Sequence, residues 1–223
     1  MTIFFEDKYL FVCEKPVGVE SQASSSGKEN MLSLLENYRK ERGEDGYVGL
    51  VHRLDTATGG AMIYSMRKEI TGKLCGAIQT EAYEKQYLAV VEGRPEESFG
   101  EMRDLLYHDK QKNKSFVVKK SRSGVKEARA TYELLDSREL DGGRVVSLVK
   151  VTLITGRTHQ IRVQFSSRGM PLLGDGKYGN RDNKASLALW SHNVRFEHPI
   201  TKKTVTAQSI PPSVYPWTLF ENI

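Results

Sequence analysis

The stretch that most constrains this chain is VHRLDTATGG, residues 51–60. A short apolar run ends there in a polar cluster, and a glycine pair closes the stretch. An apolar run that stops at glycines predicts a strand that enters a tight turn. Such a turn lifts Asp55 clear of the sheet end, with Arg53 two residues before it. Loops held by rigid strands commonly carry catalytic groups.

The same aspartate has a second interpretation. Aspartate is frequent in turns because its side chain can cap its own backbone in an Asx turn. The local sequence alone favours neither this structural role for Asp55 nor a catalytic one, so the rest of the chain has to decide.

The bulk properties of the chain set wide bounds. Its 223 residues, 39% hydrophobic and 27% charged, are typical of a soluble globular protein. The net charge of +5 is compatible with a polyanionic partner. Cys13 and Cys75 match no metal or redox spacing, and no apolar stretch approaches membrane-spanning length. We therefore expect a cytoplasmic protein with reduced thiols and no membrane contact.

Strand patterns outnumber helix patterns along the chain. Strands are predicted at residues 3–5, 9–13, 48–51, 61–64, 87–91, 128–135, 145–153, 186–190, 193–197 and 203–208. Helices are predicted from Met31 to just before Gly43, at 67–79, and at 158–168 with Thr158 as N-cap and Gly169 as stop. Residues 96–125 fit no clear pattern, apart from a short strand at 116–118. This interspersion predicts an α+β fold with a mixed, mainly antiparallel sheet and flanking helices.

Three segments are more polar than their predicted positions require. They are HRLDTATGG, EKQYLAVVEG with Tyr87 near the start of a strand, and TGRTHQIRV at residues 155–163. In the last of these, Arg162 falls one turn into the predicted helix beside an apolar neighbour. An arginine placed there usually has a carboxylate or phosphate partner, although the residue alone favours a surface helix position.

In this order and spacing, the three segments resemble the motifs of the RluA-type family of RNA pseudouridine synthases. The family's HRLD-x-x-TSG, K-x-Y-x-A-x-V-x-G and TGR-[ST]-HQ-[IL]-RVH patterns each have a counterpart here. VCEKPVGV, PLLGDGKYG and LWSHNVRFEHPITKK resemble further family segments, so the similarity covers about residues 7–212. The chain departs from the pattern at Gly59, Gln164 and Trp190-Ser191-His192, where the family has serine, histidine and Leu-His-Ala.

The resemblance implies a pseudouridine synthase catalytic fold with an RNA cleft along one sheet face. We expect a single catalytic domain over residues 1–223, without the N-terminal S4 RNA-binding domain that the family often carries. By motif position, Asp55 is the expected catalytic carboxylate, Tyr87 the active-site tyrosine and Arg162 the ion-pair partner of Asp55. Contacts to RNA are expected from Arg53, Arg157 and His159.

The implied reaction isomerises specific uridines in rRNA or tRNA to pseudouridine. The N1–C1′ bond breaks, the base rotates and rejoins the ribose through C5, so no cofactor or metal is expected. A carboxylate can attack C1′ or remove the 2′ proton, and the sequence does not choose between these steps. Arg162 is expected to keep the carboxylate ionised, while Tyr87 can stack on uracil or relay the C5 proton.

Residues 110–126 form a basic segment with seven lysines and arginines and no acidic residue. We expect this segment to bind RNA phosphates, with Lys119, Lys120 and Arg122 as its candidate contacts. A solvated mobile loop is the alternative, since runs of charge are commonly just that.

Two other functions fit parts of the pattern. One is a non-catalytic RNA-binding protein that retains the synthase cleft, although intact Asp55 and Arg162 count against it. The other is a nucleoside hydrolase, which usually needs a second carboxylate that these motifs lack. The histidines in or beside the motifs have no metal-ligand spacing, so we expect a monomer that binds RNA and no metal.

Overall fold

The computed structural model of the protein describes residues 1–24, 27–78, 80, 83–179 and 185–221. Its contacts divide the chain into two compact units. The first consists of Met1–Lys85 and Ser191–Ile210, and the second of Gln86–Trp190 and Pro211–Ile223. The expectation of one catalytic domain over residues 1–223 stays a prediction.

The chain forms the elements of the first unit before it enters the second. These are strands β1 Ile3–Glu6, β2 Leu10–Lys15, β3 Gly49–Leu50 and β4 Gly59–Ser65, and helices α1 Met31–Glu41 and α2 Lys68–Ala77. The chain passes into the second unit within β5 Tyr83–Glu92 and then forms β6 Phe99–Asp109, β7 Lys114–Val118, β8 Val125–Leu140, β9 Arg144–Leu153 and α3 Gln160–Ser166. It returns within β10 Leu189–Glu197, forms β11 Thr204–Gln208, and ends with a 3-10 turn at Trp217–Leu219.

The first unit is built on an antiparallel sheet. β2 pairs with β1 and β4, β3 pairs with β4, and β10 pairs with β11. Every residue of β4 is buried, which is typical of a strand covered on both faces. The core of this unit comprises Leu10, Val12, Val51, Ala61, Ile63, Ile70, Leu74, Tyr83, Val194, Phe196, Val205 and Ala207.

In the second unit, the strands pair antiparallel in the order β5-β9-β8-β6-β7. A bulge between Leu134 and Asp136 shifts the register of β8 against β9. One core cluster comprises Leu88, Val90, Val146, Leu148, Leu173, Ala188, Trp190, Trp217 and Phe220, and a smaller one comprises Leu106, Ala128 and Val163 beside α3. The predicted mainly antiparallel α+β architecture is confirmed.

The helix ends follow from local chemistry at α1 and differ from expectation at α3. Asn30 and Ser33 form a reciprocal capping box at the start of α1, and Gly43 follows its end at a φ of +73°. Thr158 was predicted as the N-cap of α3, which is wrong. The cap is His159 in the left-handed conformation, without a side-chain capping bond.

Two further predictions need correction, and a segment without a clear pattern proves to contain strands. Gly59 and Gly60 do not form the turn but open β4, and the turn itself lies at residues 56–57. The strands predicted at 186–190 and 193–197 are one continuous strand, β10. Residues 96–125, which had no clear pattern, contain β6 and β7, so much of the basic segment is a hairpin rather than a mobile loop.

Among the described residues, no helix has the length and apolar character needed to cross a membrane.

Candidate active site

The HRLD motif forms a short turn between β3 and β4. The backbone N–H of Thr58 donates to the carbonyl of Asp55 at 2.9 Å and closes the turn. Asp55 is half-buried and Arg53 is exposed. The hydroxyl of buried Ser21 donates to the carbonyl of Leu54 at 2.9 Å and accepts its N–H at 3.1 Å. Ser21 therefore holds both the backbone N–H and the backbone carbonyl of Leu54, the residue directly before Asp55.

Gly60 determines where the turn joins the sheet. Its φ is +113°, and a Cβ added at this position would clash with the backbone carbonyl oxygen of Ser191 in β10. Only glycine fits a left-handed backbone in such close contact. Ser191 is one of the positions at which the chain departs from the family pattern. Its hydroxyl donates to the carbonyl of Ala61 at 2.8 Å and so helps to hold β4.

Lys15 ties the turn to β2 from within the core. Its side chain is fully buried, and its Nζ donates to the carbonyls of Val19 at 2.6 Å, Pro16 at 2.8 Å and Thr56 at 3.3 Å. Burial lowers the pKa of Lys15 from 10.5 to about 8, and the nearby charge of Asp55 partly opposes that shift. The sequence analysis missed this residue. Its signal was a lysine at the end of an apolar strand, LFVCEK.

His52 is held as a neutral ring at the start of the motif. Its Nε2 accepts the backbone N–H of Ile63 at 3.1 Å, which leaves the ring proton on Nδ1. Burial lowers the pKa of His52 from 6.5 to about 3, and the positive charge of Lys85 acts in the same direction. The His52 ring meets the ring of Tyr83 edge-on, with the centroids 6.0 Å apart.

The second unit holds Tyr87 and the third motif. Tyr87 lies in β5 opposite Val151 of β9, and only 6% of it is exposed. Gln160 fixes the turn before α3, because its Oε1 accepts the N–H of Arg157 at 3.0 Å and the hydroxyl of Thr155 at 2.8 Å. Arg157 is half-buried, and its Nε donates to the carbonyl of Glu127 at 2.8 Å.

Arg162 makes a buried bidentate ion pair with Asp175. Its Nε lies 2.8 Å from Oδ2 and its Nη2 lies 2.8 Å from Oδ1. The carboxylate also accepts the backbone N–H groups of Lys177 and Tyr178. Burial alone raises the pKa of Asp175, but the hydrogen bonds and charge of Arg162 outweigh it, so the net pKa is lowered. This cluster fixes the guanidinium plane before any substrate binds.

Tyr178 supports the same arginine from its ring face. The Arg162 guanidinium lies 5.2 Å from the centroid of the Tyr178 ring. The Tyr178 hydroxyl accepts the N–H of Ser115 at 2.7 Å and lies 2.9 Å from Nδ1 of His159. His159, predicted as an RNA contact, is therefore also part of the packing that holds Tyr178.

The predicted site residues divide between the two units. Arg53 and Asp55 belong to the first, whereas Tyr87, Arg157, His159 and Arg162 belong to the second. The pairing of Asp55 with Arg162 stays a prediction. The sequence analysis missed Asp175 as a partner of Arg162, although the PLLGDGKYG segment that carries it was part of the resemblance.

The basic segment contains both exposed and half-buried cations. Lys119, Lys120 and Arg122 are exposed, and the Arg122 guanidinium lies 4.8 Å from the centroid of the Tyr107 ring. Lys114 differs, because it is half-buried and its Nζ donates to the carbonyl of Lys177 at 2.7 Å. The three candidate RNA contacts are thus accessible, while Lys114 is engaged inside the protein.

Gln164 explains one departure from the family pattern. It is fully buried in α3, and its Nε2 donates to Asp104 Oδ2 at 2.7 Å and to the carbonyl of Met102 at 3.3 Å. Here the amide joins α3 to β6, a role that makes no use of imidazole chemistry.

Comparison with known proteins agrees with the motif resemblance. The sequence profile of the family described as RNA pseudouridylate synthase matches residues 9–167. An uncharacterized RNA pseudouridine synthase of Bacillus subtilis, YhcT, is 30% identical over 212 residues, covering 94% of this chain and 68% of that protein. Ribosomal large subunit pseudouridine synthase C of Buchnera aphidicola (subsp. Schizaphis graminum) is 32% identical over 210 residues, covering 90% of this chain and 64% of that protein.

The fold has a counterpart among solved structures. Human RNA pseudouridylate synthase domain containing 4 superposes with a TM-score of 0.79 at 23% identity. The superposition covers 98% of this chain and 91% of the human one. This likeness concerns the fold, and the sequence comparisons carry the family assignment.

Proposed function

The chain belongs to the RluA-type family of RNA pseudouridine synthases, and from this premise we propose that it converts specific uridines in structured RNA to pseudouridine, with Asp55 as catalytic carboxylate. The printed name of the Buchnera relative makes large-subunit ribosomal RNA the first substrate to test. Transfer RNA is the second. The chain spans about two thirds of the length of both relatives, so substrate and activity are proposals for this protein.

The reaction is an isomerisation in which all atoms are conserved. The bond between N1 of uracil and C1′ of the ribose breaks, the base turns, and a C5–C1′ bond forms. The proton leaves C5 and N1 gains one, so the reaction requires neither a cofactor nor an oxidant. Asp55 acts either as nucleophile at C1′ or as base at C2′. A uridine within folded RNA has to leave its stack to reach the carboxylate.

The observation that carries the proposal is the way the HRLD turn presents Asp55. The carboxylate is half-buried on a turn that Ser21 and Lys15 fix from the protein interior. Such fixed geometry is what a residue attacking one specific atom requires. Lys15 also places a cation near enough to Asp55 for the two charges to interact.

Arg162 and Tyr87 complete the proposed catalytic group. Arg162 already holds one carboxylate, Asp175, through Nε and Nη2, and we propose it also as the ion-pair partner of Asp55. Tyr87 supplies a buried aromatic ring in the family's K-x-Y motif, where it can stack on the extruded uracil. We further propose that RNA lies along one face of the sheet, contacted by Arg53, Arg157 and His159.

The alternative is a non-catalytic RNA-binding protein that retains the cleft. Pseudouridine mapping distinguishes the two, using unmodified large-subunit ribosomal RNA and transfer RNA transcribed in vitro. We expect the wild-type protein to form pseudouridine at a small set of positions. Asp55→Asn should keep its fold and RNA affinity but form none, because an amide is a poor nucleophile and base.

Two results would count against the proposal. If the wild-type protein binds RNA but forms no pseudouridine in either RNA, the non-catalytic alternative holds. If Asp55→Asn forms pseudouridine at a rate near that of the wild type, the assignment of the catalytic carboxylate is wrong. Asp45→Asn is a matched control, because Asp45 is an exposed aspartate of the same unit, outside the motifs.

A further inference from the structure

Lys85 differs from every other lysine and arginine that the described structure buries fully or in part. Eight of these nine cations donate to a carboxylate or a backbone carbonyl, and Lys85 is the exception. The eight are Lys15, Arg39, Lys114, Arg129, Lys150, Arg157, Arg162 and Lys177. Among the described residues, the Lys85 ammonium makes no hydrogen bond and no ion pair.

Within the part of the chain that the structure describes, the Lys85 ammonium has an aromatic face as a favourable neighbour. Nζ of Lys85 lies 5.1 Å from the centroid of the buried Tyr83 ring. The Tyr83 ring also packs edge-on against the ring of His52, which the structure holds neutral. A π face attracts a cation but does not replace its lost water, and burial accordingly lowers the pKa of Lys85. The described residues around Lys85 therefore include no counter-ion for its charge.

The position of Lys85 indicates which anion it takes. Lys85 is two residues before Tyr87 in β5, and its neighbour His52 is three residues before Asp55. A lysine beside the motif of an RNA-modifying carboxylate has one abundant anion within reach, the phosphate of the nucleic acid backbone. An ammonium on a flexible stem binds such a group as a point charge.

We propose that Lys85 binds a backbone phosphate of the RNA adjacent to the uridine held at Asp55. This inference rests on the proposed function, since it places the phosphate next to the reacting nucleotide. The contact gives Lys85 a counter-ion, which none of the residues described by the structure supplies. It also holds the backbone of the extruded nucleotide in place. Extrusion costs stacking energy, so without such a contact the base tends to return to the RNA stack.

The first test measures RNA binding over a salt series. The probe is large-subunit ribosomal RNA transcribed in vitro, and the variant is Lys85→Met, which keeps the alkyl stem on Tyr83. Each phosphate contact contributes about 0.7 to 0.9 to the slope of log K against log salt. We expect Lys85→Met to reduce the slope by about this amount, and Lys85→Arg to retain the wild-type slope.

Lys68→Met is the matched control. Lys68 also stands over a tyrosine of the first unit, with Nζ 5.9 Å from the Tyr47 ring centroid, but it is exposed on α2. Its loss should leave the slope unchanged. A wild-type slope in Lys85→Met, with the thermal midpoint also unchanged, would overturn the phosphate contact.

The second test begins with the wild-type protein, and this part does not depend on how a variant folds. In a synthetic stem-loop that carries the mapped uridine, each flanking phosphate in turn is replaced by a neutral methylphosphonate. One replacement should weaken binding to the wild type and have no further effect on Lys85→Met or, should that variant not fold, on Lys85→Gln. If no flanking replacement weakens binding to the wild type, the inference is wrong.

The two tests separate this inference from the proposed function. If the wild type forms no pseudouridine but Lys85→Met still lowers the salt slope, the isomerase proposal fails and the phosphate contact stands. If pseudouridine forms and the slope does not change, the isomerase proposal stands and Lys85 has only a packing role on Tyr83.

Discussion

Arg162 and Asp175 form a buried ion pair in which both carboxylate oxygens accept from one guanidinium, each at 2.8 Å. The side chains are 9% and 0% exposed. Such a pair is costly to break, because the remaining charge stays buried without a partner. The arginine proposed to support catalysis is thus held first by the protein itself.

We predict that Arg162→Ala lowers the free energy of unfolding by about 3–5 kcal/mol, the usual effect of leaving a buried charge unpaired. Asp175→Asn should also destabilise, by less, because the amide oxygen still accepts one hydrogen bond. Urea unfolding followed by circular dichroism measures both. Arg168→Ala is the control: Arg168 is exposed, and its pair with Asp104 should contribute about 1 kcal/mol or less.

The same variants separate structural support from a role in the reaction. Asp175→Asn leaves Arg162 charged but less firmly oriented, so the rate at saturating RNA should fall more than RNA affinity does. Arg162→Lys should restore charge without the bidentate fork and recover part of that rate. An Arg162→Ala protein with wild-type stability and wild-type rate would contradict both the ion pair and the catalytic assignment.

Asp175 also shows what sequence reasoning misses. Apolar periodicity predicted α2, β8 and β9, because each of these patterns depends only on neighbouring residues. The partner of Arg162 lies thirteen residues away across a turn, and no local pattern specifies that contact. An aspartate in a glycine-rich turn is typical of turns in general.

The glycine pair of the HRLD motif was misplaced for a related reason. Glycine indicates either a turn or a close backbone approach, and the sequence does not distinguish them. At Gly60 the cause is the approach of Ser191 from β10, a contact between residues 131 positions apart. Lys15 was missed because a lysine at a strand end is usually exposed, whereas this one is buried among carbonyls.

We predict that Tyr87→Phe slows product formation after the glycosidic bond has broken. The ring remains to stack on uracil, but the hydroxyl that we propose as the relay for the C5 proton is lost. Single-turnover reactions, quenched and digested to nucleosides, should show loss of uridine ahead of gain of pseudouridine. Tyr83→Phe is the matched control, as Tyr83 is a buried tyrosine of the same strand. Single-turnover kinetics like those of the wild type would leave a role only for the ring.

The exposed cations of the basic segment should contribute affinity without choosing the uridine. Changing Lys119, Lys120 and Arg122 together to Gln should reduce the salt slope of RNA binding by about two, if each contacts one phosphate. The set of modified uridines should not change, because phosphate contacts carry no sequence information.

The control for this triple variant changes three exposed lysines of the first unit to Gln. They are Lys40, Lys73 and Lys203. The control alters net charge almost equally, so it should leave the slope close to that of the wild type. Equal slopes for the wild type and the triple variant would mean that the three cations lie on a solvated surface and do not contact RNA phosphates. A changed target uridine would mean that the hairpin reads RNA shape.

The stability of the first unit should depend on pH through His52. Its pKa is about 3 in the folded protein and about 6.5 when unfolded, so between these values the unfolded chain binds the additional proton. Stability is therefore fully present above pH 6.5 and decreases as the pH falls toward 3, with a limiting slope of about 1.4 kcal/mol per pH unit.

His52→Gln should flatten this dependence, because the amide oxygen can accept the Ile63 N–H without titrating. Urea unfolding at pH 7.5, 6.5, 5.5 and 4.5 measures both proteins. The lowered pKa of Asp175 does not interfere, since its contribution is lost only below the ordinary carboxyl range. Equal unfolding free energies of the wild type at pH 7.5 and 4.5 would show that His52 accepts its proton in the folded state, and that the ring is not fixed as an acceptor beside the catalytic turn.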